Sequence, residues 1–197
     1  MAAAAKKKEA ETFDLPRLNL KTVHVRLVGT SPLVVHAWSE KAKQEMRDKQ
    51  QKRAKQAKEA RNPEAEYEAA MYRTAEGRPA FPAIAFKTAA VDACSHVSGV
   101  TKVQARGAFH VIGDMVEING EPHMREDMVR VGMGVADLRY RPEFPKWSCV
   151  LEVRYNANVL SDEQILNLFN TAGFAIGIGE HRPQRDGSWG MFEATLA

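Results

Sequence analysis

The sequence is poor in cysteine and has no long apolar run. Its two cysteines, Cys94 and Cys149, lie far apart and form neither a CxxC pair nor a set of paired spacings, which argues against a disulfide framework or a zinc site. No stretch approaches the roughly 20 apolar residues that a membrane span requires. The six histidines show no HExxH or other close ligand spacing. We therefore expect no metal, no cofactor and no membrane partner, and a soluble protein of the reducing cytoplasm.

The length and composition are those of one globular domain. The chain has 197 residues, of which 44% are hydrophobic and 27% charged, enough for one substantial core. We predict that residues 1–18 are a disordered tail, because basic residues there follow a short alanine run without an apolar region. Residues 19–197 are predicted to form a single domain with a basic helical segment inserted at about 38–76.

The inserted segment is strongly basic. Nine lysines or arginines face four acidic residues between Glu40 and Arg61, a balance of +5. It has almost no aliphatic residues with which a helix would pack on a core. Two interpretations are open, a solvated helix or an electropositive arm that reaches for phosphates. The second makes candidates of Lys49, Lys52 and Arg53. We expect the helix to run from about Ser39 to Arg61, where Asn62-Pro63 ends it.

The remaining elements follow from periodicity. "KTVHVRLVG" and "KWSCVLEVRYN" alternate as strands, and "GMFEATLA" is a last strand. Helices are predicted for "PAIAFKTAAVDACSHV" and for "DEQILNLFNTAGFA", which a Ser161/Gln164 capping box opens. A β-hairpin or meander is predicted in the middle, with Asn119-Gly120 as its turn signal.

The order of these elements indicates the fold. Strand, helix, strand, strand, helix, strand is the split βαβ, ferredoxin-like or RRM-like arrangement, an α+β fold in which two helices pack on one face of an antiparallel sheet. Nucleic-acid modules repeatedly use the other, open face.

A glycine-rich loop, "GFAIGIGEHRPQRDGSWGMFEA", joins the last helix to the last strand. Gly177 and Gly179 permit positive φ or close approach of the backbone. One interpretation is a phosphate cradle of bare amide N–H groups, aided by Arg182 and Arg185. The other is a tight connection between helix and strand. The loop lacks the phosphate-loop and dinucleotide signatures.

Three further residues are candidates for contacts with nucleic acid. Lys87 lies near a predicted helix start, where it is either the cation of an anion site or a surface lysine. Trp38 and Trp189 would either stack on unpaired bases or pack partly into the core.

Three stretches together resemble the repeat-associated mysterious protein superfamily of CRISPR systems, especially its RNA-coating backbone subunits. These are "LVGTSPLVVH", "RPAFPAIAFKTAAVDA" and the glycine-rich loop, in the expected order. Lys87 matches the lysine of the second motif, whereas the loop is longer than the usual form. The resemblance implies RNA binding along a filament, a thumb-like insertion and no catalysis by the subunit; a stand-alone or phage-borne relative is also compatible with it.

Three functions compete. The favoured one is a non-catalytic module that binds single-stranded RNA or DNA, RNA preferred, and oligomerises along the strand, with other ribonucleoprotein subunits as further partners. The second is a metal-independent endoribonuclease that uses His36 or His181 as acid or base, as processing enzymes of the superfamily use histidine. The third is a phage-type regulator that imitates a backbone subunit.

Overall fold

The computed structural model describes residues 15–53, 60–132 and 134–197. The strands in this part of the chain are β1 (Leu20–Gly29), β2 (Leu33–Val34), β3 (Ala80–Pro82), β4 (Phe109–Val111), β5 (Met115–Glu117), β6 (His123–Val131), β7 (Val135–Phe144), β8 (Ser148–Asn156) and β9 (Phe192–Leu196). The helices are α1 (Glu40–Gln50), α2 (Pro63–Ala70), α3 (Ala83–Ala93), α4 (Lys102–Ala108) and α5 (Asp162–Ala175), with a 3-10 turn at Pro183–Arg185.

The main sheet has four antiparallel strands in the order β4-β8-β1-β9. Helix α3 connects β1 to β4, across the insertion, and α5 connects β8 to β9. This is the strand order of a split βαβ arrangement, so the predicted α+β class and element order are present. Helices α3 and α5 pack against each other on one face of the sheet. The described side chains of β1 and β8 that point to the other face, such as Arg26 and Arg154, are exposed.

The predicted alternation places the core correctly. In β8, Cys149, Leu151, Val153 and Tyr155 are buried, and the residues between them are exposed. The capping box of α5 is formed by both Ser161 and Gln164, and the stripe of Ile165, Leu168, Phe169 and Ala172 is buried. Burial of each large apolar side chain contributes roughly 1.5–3 kcal/mol relative to exposure.

The hairpin is where the structure differs from the sequence-based prediction. Strands β6 and β7 form it, and they pair from His123↔Glu143 to Val131↔Val135. The turn therefore lies between Val131 and Val135, and not at Asn119-Gly120. Asn119 instead bridges to Ser148, because the chain there crosses from the small β3-β5 sheet to β6.

The described part of the insertion contains two helices, α1 and α2, and the first is shorter than predicted. Helix α1 ends at Gln50, and Lys52 then has a φ of 54°, outside the helical region. Asn62-Pro63 begins a helix as well: the Asn62 side chain accepts from the Ala65 N–H, and Pro63 is the first residue of α2.

Of the predicted tail, residues 1–18, the structure describes only residues 15–18. Residues 1–14 lie outside the described part of the chain. At the described end, the Arg17 carbonyl accepts a hydrogen bond from the Asn158 side chain at 2.9 Å. At Arg17, the described end of the tail is thus bonded to the turn that follows β8, while Leu15 and Leu18 are exposed.

Candidate nucleic-acid interface

The glycine loop, defined here as residues 177–190, closes on the protein's own backbone. Gly179 has a φ of +75°, and a β-carbon there would lie 2.5 Å from the Val34 carbonyl oxygen. At Gly190, with a φ of +65°, a β-carbon would collide with the Ile178 carbonyl oxygen. The neighbouring main chain therefore approaches both glycines closely. A residue with a β-carbon would collide with it, so glycine is required at both positions.

Several amide groups of the loop donate to the protein's own backbone, within the loop or in neighbouring elements. Gly177 N–H donates to Ala172 O at 2.8 Å, Ile178 N–H to Gly190 O at 3.0 Å and Glu180 N–H to Val34 O at 2.9 Å. The prediction that bare amides of Gly177 face a phosphate is wrong at this residue, because its hydrogen bond ends α5. No described hydrogen bond engages the Gly179 N–H, so phosphate contacts by this amide and by the side chains of the loop stay predictions.

The two loop arginines have different surroundings. Arg182 donates to Gly179 O at 3.0 Å and to Gln184 Oε1 at 3.1 Å, so its guanidinium holds the loop together. Arg185 is exposed, and its side chain has no hydrogen bond or ion pair with any described residue. Gln184 in turn donates to Asp92 Oδ2 at 2.8 Å. Arg185 is thus a free cation on a turn that is fastened to α3.

The two tryptophans also differ. Trp38 is 64% exposed, which leaves its ring accessible for stacking. Trp189 lies under the hairpin: the Arg125 guanidinium carbon is 4.2 Å from the centre of its ring, and the His181 ring is 5.0 Å away. Arg125 makes a cation–π contact that covers part of the Trp189 ring.

Lys87 belongs to a basic patch at the edge of the main sheet. Its Nζ lies 2.9 Å from His110 Nδ1 in β4, and His110 pairs in register with Arg154 of β8. We call Lys87, His110 and Arg154 the edge patch. No described residue supplies a carboxylate partner to any of the three. Burial lowers the pKa of Lys87, and burial together with Lys87 lowers the pKa of His110.

The candidate cations of the insertion are exposed at the end of α1. Lys49 and Lys52 are exposed, whereas Arg53 forms an ion pair with Asp48 at 3.3 Å. A surface pair of this kind contributes little to stability. Residues 54–59 lie outside the described part of the chain, so the further predicted extent of this arm is not described.

A cavity of about 260 Å³ lies between α3, the glycine loop and the segment after β2. Its apolar walls come from Phe81, Ala85, Ala89, Ile176 and Ile178. Its polar groups belong to Tyr72, His36, Thr88, Asp92, Glu180, Arg182 and Gln184. The structure thus brings His36 and Arg182 to one site. Lys87, by contrast, does not line this cavity.

The two candidate catalytic histidines have different environments. Burial lowers the pKa of His36; Glu180 raises it, and Arg139 and Arg141 lower it. His181 is exposed, has a φ of 51° and packs beside Trp189. An acid or base for strand cleavage has to lie within hydrogen-bonding reach of the reacting groups. His36 lines a cavity in which reacting groups could come within this reach, whereas His181 lies on the exposed surface of the loop.

A buried arginine, Arg141, joins the hairpin to the glycine loop. Its side chain is 8% exposed; Nη2 lies 2.6 Å from Asp127 and Nη1 lies 3.2 Å from Glu180. Arg125 binds the same Asp127 at 2.8 Å and Glu143 at 3.0 Å. The hairpin therefore positions Glu180 at the rim of the cavity.

Sequence reasoning missed His110, Arg154, Arg141 and Glu180. The outward position of Arg154 follows from the period of β8, but its closeness to His110 depends on the pairing of β4 with β8. Nothing in "LRYRPEF" distinguishes Arg141 from its neighbours as the buried one. Its role depends on contacts between residues distant in sequence.

In the described part of the chain, no cluster of three or more His, Cys, Asp or Glu side chains is arranged to hold a metal ion. Nor does any described helix combine the length and apolarity needed to cross a membrane.

Comparison with known proteins gives a similarity of fold. The sequence matches no protein-family profile and no curated protein. Among solved structures, the chain is similar to Cmr6 from Pyrococcus furiosus, with 12% sequence identity and a TM-score of 0.48, over 91% of this chain and 100% of that chain. A likeness of this kind carries no information on site residues, so function has to come from the side chains of this chain.

Proposed function

We propose that the protein is a non-catalytic module that binds single-stranded nucleic acid, RNA in preference to DNA, through the phosphate backbone. The observation that carries the proposal is the edge patch. Lys87 and Arg154 are cations without a carboxylate partner among the described residues, and His110 lies between them. His110, whose pKa is lowered, accepts from the Lys87 ammonium as a neutral imidazole, so Lys87 and Arg154 keep their charges available for the oxygens of a phosphate.

The surroundings of the edge patch suit an extended strand. Arg26 lies on the same open face of the sheet and is exposed, and it has no ion-pair partner among the described residues. Arg185, Lys49 and Lys52 add exposed cations elsewhere. Binding of this type depends on charge along the backbone, so it is strongly sensitive to salt and weakly sensitive to sequence.

Oligomerisation along the strand is part of the proposal. Strand β6 is at the edge of the three-stranded sheet β2-β7-β6, where backbone groups are open to pairing with another chain. The outer face of the hairpin carries Met124, Met128 and Leu138, which are 44%, 64% and 42% exposed. Exposed apolar patches of this kind favour contact between subunits.

The test is a charge reversal in the edge patch. Arg154→Glu should weaken binding of a labelled single-stranded RNA at least about tenfold and lower the slope of log K against log salt by about 0.7 per lost phosphate contact. Fluorescence anisotropy at several salt concentrations measures both quantities. Arg185→Glu should act in the same direction while the fold is kept, because no described residue bonds to that side chain.

Lys146→Glu is the matched control. Lys146 is exposed in the segment between β7 and β8, so the variant makes the same change of net charge outside the patch and outside the β6 edge. An equal loss for Lys146→Glu and Arg154→Glu would show that net charge, and not the patch, binds the RNA. Absence of binding by the unaltered protein would contradict the proposal and favour the regulator.

The same RNA also tests the enzymatic alternative. Cleavage in EDTA that His36→Ala abolishes would replace the proposal with an endoribonuclease, because His36 lies in the cavity beside Glu180. We expect intact RNA on a denaturing gel.

A further inference from the structure

The cavity between α3 and the glycine loop has the size and walls of a site for one small planar ring. Its volume of about 260 Å³ falls just below the roughly 300–1,000 Å³ of sites for drug-sized ligands. Tyr72 and Phe81 meet edge to face, with ring centres 5.5 Å apart, and Ala85, Ala89 and Ile178 contribute further apolar surface. Flat, apolar walls of this kind favour an aromatic guest over a sugar or a free anion.

Most polar groups of the cavity already have partners. Asp92 accepts from Lys102 and from Gln184, each at 2.8 Å. The Thr88 hydroxyl donates to Ile84 O at 2.8 Å, and Gln184 Oε1 accepts from Arg182. These groups shape the site, but they have little capacity left for a ligand.

Three side chains keep hydrogen-bonding capacity for a ligand. Neither ring nitrogen of His36 has a hydrogen-bond partner among the described residues. The Tyr72 hydroxyl donates to the backbone carbonyl of His36 and not to its ring. Glu180 accepts from Arg141 through Oε2, which leaves Oε1 and the second lone pair of Oε2 as acceptors. Arg182 has N–H groups beyond those that bond to Gly179 and Gln184.

We propose that this cavity binds a single unstacked base of the bound strand, and that guanine is the base its free groups match. The N1–H and N2–H groups of guanine are adjacent donors that suit one carboxylate, that of Glu180. Its O6 and N7 are acceptors that suit an N–H of His36 or Arg182. Uracil has a single ring N–H and two carbonyl acceptors, so it leaves the carboxylate poorly satisfied. Proteins that bind single strands commonly read unstacked bases on these edges.

Helix α3 links this site to the edge patch. Thr88 is exposed at the cavity, and its neighbour Lys87 reaches across to His110. A strand whose phosphate lies at Lys87 can therefore turn one base over Thr88 into the cavity. The inference rests on the proposed function, because the base belongs to the strand that the edge patch holds.

The test compares three short labelled RNAs: an all-uridine strand, the same strand with one central guanosine, and the same strand with inosine at that position. Fluorescence anisotropy should show about tenfold tighter binding of the guanosine strand than of the uridine strand. Inosine lacks the N2 amino group, so it should lose part of the preference.

Thr88→Phe should fill the cavity without disturbing the core, because Thr88 is exposed and bonds only to its own helix. This variant should bind the uridine strand as the unaltered protein does and lose the preference for guanosine. Ile84→Phe is the matched control: Ile84 is 66% exposed, one turn earlier on α3 and outside the cavity, so this variant should keep the preference.

The outcomes separate the two proposals. Equal binding of all three RNAs by the unaltered protein, or a preference that survives Thr88→Phe, would overturn the base site and leave phosphate binding in place. Failure to bind any of the RNAs would overturn both.

Discussion

Gly190 and Gly107 have different structural roles in this chain. Gly190 has a φ of +65°, and the Ile178 carbonyl oxygen occupies the place of its missing β-carbon. Gly107 lies inside α4, has an ordinary helical φ and has nothing within 4 Å of the place of a β-carbon. Glycine is thus a steric requirement at the first position and a cost in backbone entropy at the second.

Alanine at each of the two positions should therefore act in opposite directions. Gly190→Ala should lower the free energy of unfolding by at least about 2 kcal/mol, since a left-handed non-glycine residue and a backbone collision add up. Gly107→Ala should raise it by roughly 0.5–1 kcal/mol, the usual gain for alanine over glycine in a helix. Urea unfolding followed by circular dichroism measures both. Equal effects would mean that the loop does not close on its own backbone.

At the scale of elements, the hairpin of β6 and β7 and the glycine loop act as one unit. Arg141 joins Asp127 of β6 to Glu180 of the loop, and Arg125 covers Trp189. Arg141 Nε is buried without a partner in the described structure, so the network already carries a cost. Buried charges of this kind are costly to separate.

Arg141→Ala should loosen this connection. The expected loss is about 2–3 kcal/mol of unfolding free energy, below the 3–5 kcal/mol typical of a broken buried pair, because Asp127 keeps Arg125 and Glu180 is partly exposed. Chemical denaturation gives the value, and faster proteolysis in the glycine loop would locate the change. Arg130→Ala, on the exposed face of the same hairpin, should stay within about 0.5 kcal/mol. A neutral Arg141→Ala would show that the hairpin and the loop are independent.

At the scale of the whole molecule, two sets of groups make the fold sensitive to acid. Burial lowers the pKa values of His36 and His110. Hydrogen bonds lower the carboxylate pKa values of Glu66 (chiefly from Arg61) and Asp92 (chiefly from Lys102). In both sets the unfolded chain binds protons more readily than the folded chain, so stability falls as the pH falls.

The loss should come in two stages. The first begins below pH 6.5, the ordinary pKa of the histidines, and the second below the ordinary carboxylate values of 4.5 and 3.8. Denaturant midpoints measured across this range should show both. The double variant His36→Gln and His110→Gln should flatten the first stage and leave the second. If it leaves the first stage unchanged, other groups cause it.

Local patterns in the sequence were enough to predict the order of the main helices and strands. Alternation in β1 and β8, the Ser161/Gln164 capping box and the apolar stripe of α5 each depend on residues a few positions apart, and each was predicted correctly. The hairpin turn was placed wrongly because Asn119-Gly120 is a local turn signal, whereas pairing of β6 with β7 is decided by which strands meet in space.

The sequence by itself determined the α+β class, the core faces of the long elements and the presence of a basic segment and a glycine-rich loop. Only the tertiary structure decided that the glycines accommodate the protein's own backbone, that Arg182 is engaged while Arg185 has no partner among the described residues, and that Lys87 meets His110, which pairs in register with Arg154. The physical reason is the separation in sequence of the residues that interact. Helix and strand faces follow from neighbours along the chain, but the partner of a charge or a glycine is set by packing between segments that are far apart in sequence.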